Sequence, residues 1–306
     1  IQSRADFTSG RAKTSVANSI CMNPQDLVSV PFDLASNHED VIRGDVRYYQ
    51  GQNKKPVLVI AHGFKTFKDW GPFPYIGERF AETGFISVVF NFSHNGVGPN
   101  LRRITEFKRF AANTPSKEVQ DLGRVIDALF DGSIPSGPAS TESIGVVGHS
   151  RGAGISIIRA RKDSRVGAVA AWSAISKFNR WSRRQEAEWR HRGYLSLVGT
   201  SVRPKFRMGV EFLEDLEKNR DSLDILKAAS ELQVPLLLVY GKQDVVTPVE
   251  EAEDLYSKSD RTKTEFVLLE KTGHRLGGGS SPFRGSPTLD HVIDLTSAWF
   301  HRHLDT

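Results

Sequence analysis

The segment Ile144-Gly145-Val146-Val147-Gly148-His149-Ser150-Arg151-Gly152-Ala153-Gly154 decides how the chain is read. A strand-sized apolar run, Ile144–Val147, leads into Gly-x-Ser-x-Gly, and a helical pattern follows from Gly152 to Arg161. This order presents a serine hydroxyl at the end of a sheet. The turn is too sharp for side chains at its flanks, so glycine fills them, and small residues beyond it let the helix pack closely on the strand. The letter pattern alone is weak, and its placement between strand and helix carries the weight. The plain alternative for Ser150 is an ordinary helix N-cap, where serine is favoured.

Similar apolar runs recur outward from this segment at Val57–Ala61, Ile86–Phe90, Val166–Trp172, Leu236–Tyr240 and Phe266–Leu269. They alternate with helical patterns over Tyr75–Thr83, Ser116–Phe130, Val249–Lys258 and Thr288–His301. Strands apolar at every position are buried on both faces, and strand–helix alternation predicts a mainly parallel sheet with helices on both sides. Ahead of them, Leu27–Phe32 and Val41–Tyr49 flank a turn-like stretch and read as an antiparallel pair. The alternation fails between about Ala174 and Leu232, a span rich in Trp, Arg and Glu with helical spacing at Phe212-Leu213-x-x-Leu216. An inserted helical cap is expected there. The predicted organisation is a polar lead over residues 1–26 and one α/β domain over 27–306, with the cap at 174–232 inside it. Gly277-Gly278-Gly279-Ser280-Ser281-Pro282 reads as a mobile loop.

Composition bounds the functional classes. Hydrophobic residues at 39% and charged residues at 25% suit a packed globule. No apolar run approaches the ~20 residues of a membrane span, so no membrane partner is expected. Cys21 is the only cysteine, which excludes an intrachain disulfide and leaves too few thiolates for structural zinc. No signal-peptide-like apolar core opens the chain, and a cytoplasmic location is the expectation. The net charge of +5 raises the question of nucleic acid. The cations are interleaved with Asp and Glu and no nucleic-acid motif accompanies them, so no such partner is expected.

In sheets of this kind chemistry sits in the loops at the carboxyl ends of the strands. A serine needs an imidazole to accept its proton, and the imidazole needs a carboxylate to hold its tautomer. Leu236–Tyr240 is followed by Gly241-Lys242-Gln243-Asp244, and Phe266–Leu269 by Glu270-Lys271-Thr272-Gly273-His274. Asp244 and His274 therefore fit the order Ser, Asp, His. Asp244 also fits a helix cap or turn residue. His291 and His94 compete as bases, but His291 falls in a helical pattern and His94 precedes Ser150. A developing oxyanion needs main-chain donors, which the Arg151 N–H and the Phe64 N–H after His62-Gly63 would supply. His62 and His149 read as loop braces. His94, Trp172, Trp181 and Trp189 are candidate substrate contacts, with the plain alternative that the cap tryptophans pack on the body.

With His62-Gly63-Phe64, Gly148-His149-Ser150-Arg151-Gly152, Asp244 and Thr272-Gly273-His274 in place, the chain resembles the α/β-hydrolase superfamily from about Leu27 to His303. Within it the chain is similar to the bacterial dienelactone-hydrolase-like and prolyl-oligopeptidase-like group, including cinnamoyl (feruloyl) esterases, whose oxyanion loop also reads His-Gly-Phe. Two departures stand out: serine replaces the cysteine of true dienelactone hydrolases, and no propeller-sized domain accompanies it. The resemblance implies a serine hydrolase that needs no metal or organic cofactor and cleaves a small-molecule carboxylic ester. A thioester or small amide on the same residues, or a non-catalytic ligand-binding relative, are the alternatives.

Overall fold

Alternate residues of one central strand enter two different cores. In β3 (Lys55–Ala61), Val57, Val59 and Ala61 join the apolar cluster on one face of the sheet, while Leu58 and Ile60 join the cluster on the other. Successive side chains of a strand point to opposite faces, so a strand covered on both sides must be apolar throughout. This is why the strand runs show no polar alternation.

The computed structural model describes residues 26–38, 40–51, 54–197 and 206–304. β1 (Leu27–Ala35) and β2 (Val41–Tyr49) pair antiparallel, as expected, and precede β3. There follow α1 (Phe73–Glu82), β4 (Ile86–Phe90), α2 (Phe107–Ala111), α3 (Pro115–Phe130), β5 (Ala139–His149), α4 (Arg151–Lys162) and β6 (Val166–Trp172). After β6 come α5 (Arg183–Arg192), β7 (Tyr194–Leu197), β8 (Phe206–Gly209), α6 (Glu211–Lys218) and α7 (Ile225–Ser230). The chain returns to the sheet with β9 (Leu236–Gly241), α8 (Val249–Lys258), β10 (Thr264–Leu269) and α9 (Pro287–Leu304). The polar lead expected over 1–26 and Cys21 lie outside the described residues, Asp26 excepted.

The eight-stranded sheet runs β1-β2-β4-β3-β5-β6-β9-β10. β2 is antiparallel to β4, and every pair from β4 to β10 is parallel. α1 and α9 cover one face; α3, α4, α7 and α8 cover the other. The chain leaves β3 for β4 on one side and arrives at β5 on the other, which opens a crevice at the carboxyl ends of β3 and β5. Ala61 pairs with Gly148, and His149 with Trp172, so the ends of these strands lie level.

Among the described residues, the span expected as a helical cap holds three helices and also the antiparallel β7–β8 pair. β5 starts at Ala139, ahead of the expected Ile144, and its register against β3 shifts between Pro56 and Val57. The glycine-rich loop, expected to be mobile, makes contacts to the segment before α1. Ser281 Oγ accepts from the Gly71 N–H at 2.7 Å, and a Cβ on Gly278 would meet the Pro72 ring at 2.8 Å.

Candidate active site

Ser150 stands between β5 and α4 with φ +56° and ψ −118°, a conformation that L-residues rarely hold and that costs about 1–3 kcal/mol. Its glycine neighbours explain how the turn closes. A Cβ on Gly148 would lie 2.4 Å from Ala153 Cα, and one on Gly152 would lie 2.4 Å from the Ala61 carbonyl oxygen. Both obstacles are backbone, so neither can move aside. The Ser150 N–H is held by the Trp172 carbonyl at 2.8 Å, and Ser150 keeps 8% of its surface exposed.

The loops after β9 and β10 bring the expected carboxylate and imidazole to this serine. His274 Nε2 lies 3.1 Å from Ser150 Oγ, and His274 Nδ1 lies 2.8 Å from Asp244 Oδ2. Burial opposes the charge of Asp244, but hydrogen bonds from His274 and Thr247 outweigh it and hold the carboxyl at about 2. An ionised carboxylate can only accept, so Nδ1 carries the proton and Nε2 is left to accept from the serine hydroxyl. The Asp244 side chain is fully buried, whereas the His274 side chain is 18% exposed. The Val246 and Thr247 N–H groups donate to Asp244 Oδ1 at 2.8 and 2.9 Å.

Thr247 is a member of this group that the sequence reading did not single out. Its buried hydroxyl lies 2.6 Å from Asp244 Oδ2, 3.1 Å from His274 Nδ1 and 3.2 Å from the Ser173 carbonyl. The only available signal was a threonine three residues beyond a candidate carboxylate. That spacing equally describes a capped turn.

The expected loop braces are present. The His62 Nδ1–H donates to the Gly63 carbonyl at 2.9 Å, and Nε2 accepts the Phe92 N–H at 3.3 Å. The His149 Nε2–H donates to the His274 carbonyl at 2.9 Å, fixing the loop that carries the imidazole. Burial pushes both rings down to about 4, so both are neutral near pH 7. Gly63 lies against the serine, since a Cβ there would come within 3.2 Å of Ser150 Cβ. The Phe64 and Arg151 N–H groups have no hydrogen-bond partner among the described residues.

The candidate substrate contacts are corrected in part. Trp172 is 2% exposed and faces α9, with its Nε1–H donating to Thr296 Oγ1 at 3.1 Å. Trp189 is 1% exposed and stacks on Phe212. Both are packed into the apolar core. Trp181 is half-buried against the same pair. His94 is buried, bonded to Ser93 Oγ at 2.9 Å and set edge-on to His38, and its contacts do not reach the Ser150 group.

A groove of about 820 Å³ lies among Phe67, Lys68, Trp70, Leu101, Arg102 and Pro282. Its Trp70 ring carries the guanidinium of Arg275, the residue after His274, at 5.0 Å. Among the described residues no group of three or more His, Cys, Asp or Glu is placed to hold a metal ion. No described helix is long and apolar enough to cross a membrane.

No protein-family model matches the chain. A 31.7 kDa Escherichia coli protein encoded in the traX-finO intergenic region is 21% identical over 290 residues, spanning 84% of this chain and 94% of that protein. Similar solved structures include esterases, a lipase and a peptidase. The esterase domain of a Rhodothermus marinus protein is 20% identical, with a TM-score of 0.60, over 90% of this chain and 98% of that one. Est1E of Butyrivibrio proteoclasticus is 12% identical, with a TM-score of 0.63, over 90% and 99%. The chain has the α/β-hydrolase fold.

Proposed function

We propose that the protein is a serine hydrolase that cleaves carboxylic esters through an acyl-enzyme. The observation that carries this reading is the unbroken chain of hydrogen bonds from Ser150 Oγ through His274 to the ionised Asp244. Ser150 Oγ attacks the ester carbonyl carbon while its proton passes to His274 Nε2. The imidazolium is held by Asp244 and then protonates the departing alkoxide. Water, deprotonated by the same Nε2, attacks the acyl-enzyme, and collapse of the second tetrahedral intermediate returns the proton to Ser150 and releases the acid. The Phe64 and Arg151 N–H groups are assigned to the oxyanion, because they are free and border the serine through Gly63. Each such donor is worth about 2.7–4 kcal/mol in the transition state.

An ester is favoured over an amide because alkoxide leaves more readily than an amine anion. The resemblance to feruloyl esterases at His62-Gly63-Phe64 points the same way, as analogy. The test is a panel of aliphatic and aromatic esters, with a matched thioester and anilide, run on wild type and Ser150→Ala. Wild type is expected to turn over esters fastest. Ser150→Ala is expected to lose at least about four orders of magnitude in kcat on each. Retained turnover in the variant, or preference for the anilide, contradicts the reading.

A further inference from the structure

The two residues whose N–H groups are assigned to the oxyanion also touch through their side chains. The Arg151 guanidinium carbon lies 3.8 Å from the centre of the Phe64 ring. The same guanidinium also lies over the ring of Phe212, from α6 of the insertion, 5.1 Å from its centre. Beyond Phe64 the contacts continue to Phe110 in a stack at 5.5 Å, and from Phe110 to Phe206 of β8 at 5.1 Å. The insertion therefore grips both ends of one row, Phe212-Arg151-Phe64-Phe110-Phe206. Trp181 and Trp189 also pack against Phe212, edge-on and stacked respectively.

The guanidinium is almost wholly enclosed, with a side-chain exposure of 10%, and its ionic partner is Glu118 of α3 at 3.6 Å. Asn113 Nδ2–H donates to the same Glu118 oxygen at 2.6 Å. Burial works against both charges, pulling Arg151 down and pushing Glu118 up, while each partner's charge pulls the other back. A buried ion pair is weak evidence for stability, because apolar residues of similar volume usually do as well. A planar cation does something they cannot: it stacks face-on against an aromatic ring and fixes the distance and tilt between two loops.

We infer that the Arg151 side chain is a positioning residue, whose stack on Phe64, clamped by Phe212 of the insertion, sets the spacing of the two oxyanion donors. The inference rests on the ester-hydrolase reading above, and it gives the insertion a part in the rate. It also accounts for an arginine being enclosed there at all. The substrate need not touch the guanidinium, because the geometry it sets is that of the main-chain N–H groups.

The test measures kcat and KM on one accepted ester, together with inhibition by phenylboronic acid, which forms a tetrahedral adduct on a reactive serine. Removing a whole oxyanion donor costs about 10²–10³ in kcat, so loosening its position should cost less, about 10–50-fold for Arg151→Met. KM should stay within about threefold and the phenylboronic acid constant should weaken in step with kcat. Arg151→Lys should recover part of the loss, and Phe212→Leu should lower kcat about 3–10-fold with KM unchanged. Arg151→Met strands a buried carboxylate, so Arg151→Met/Glu118→Gln supplies a variant with neither charge. It should fold with the same kcat defect. A raised KM at unchanged kcat would make Arg151 a substrate-binding group and overturn the inference, as would unchanged kcat throughout. If wild type neither turns over esters nor responds to phenylboronic acid, the hydrolase reading beneath the inference fails with it.

Discussion

Ser150 is held at φ +56° by the contacts that close its turn, and that strain should be measurable. Alanine at this position keeps the strain, whereas glycine relieves it at a cost of roughly 0.5–1 kcal/mol in unfolded-chain entropy. Ser150→Gly is therefore expected to unfold in urea about 1 kcal/mol later than Ser150→Ala. The reverse order would place the strain elsewhere. Thr247 offers a second residue-level test. Valine fills the same buried space but removes the 2.6 Å donor to Asp244, which should destabilise the protein by about 1–3 kcal/mol. Thr247→Ser should be close to wild type in the same urea titration. The sequence made Ser150, Asp244 and His274 legible because each ends a strand run in the order the chemistry requires. Thr247 was not, since one hydroxyl in a turn has many ordinary uses. Trp172 was misplaced for a related reason. A strand apolar on both faces carries no alternation, so nothing in the letters says whether Trp172 points to α4 or to α9.

At the scale of elements, the close approach of α4 to β3 aims the proposed nucleophile. Gly152→Ala would drive a methyl group to 2.4 Å from the Ala61 carbonyl, with only backbone to give way. Activity is expected to fall by at least about 100-fold, since a displacement near 1 Å costs that much in an aligned site. Far-UV circular dichroism of this variant should stay near wild type, because the sheet and its other helices remain paired. Near-wild-type turnover would contradict this account of the turn. The long elements were readable from continuous apolar runs and helical spacing. β7 and β8 were not, because they span only Tyr194–Leu197 and Phe206–Gly209 and carry polar residues among the apolar ones. The β5 extension from Ala139 was hidden by Thr141, Glu142 and Ser143, which read as loop. The aromatic and cationic richness of the insertion suggested substrate contacts. In the fold Trp181, Trp189 and Phe212 pack on one another, while Arg180, Arg190 and Arg192 pair with carboxylates.

The whole molecule should lose stability in acid. Burial holds His62, His94 and His149 at about 4 in the folded state, below the ordinary value near 6.5. Between those values the unfolded chain binds three protons that the folded chain does not, so stability falls as pH drops from about 6.5 to about 4. Asp121 opposes this. Burial raises it to about 7, so it is protonated in the folded state where the unfolded chain is ionised. For these four groups alone unfolding near pH 5 takes up about two protons, which buried Glu118, also raised, reduces and His38, also lowered, increases. Urea midpoints measured from pH 7 to pH 4.5 should therefore fall steadily, and a flat profile would mean that these histidines are hydrated.

The claim on which the rest depends is that one hydroxyl in this molecule is activated by the His274–Asp244 pair. Its most direct test is intact-mass and peptide mapping after treatment with a fluorophosphonate. The expected result is a single adduct on Ser150 of wild type, none on Ser150→Ala, and labelling slowed by at least about 100-fold in His274→Ala. An unlabelled wild type, or an adduct on any other residue, would contradict it.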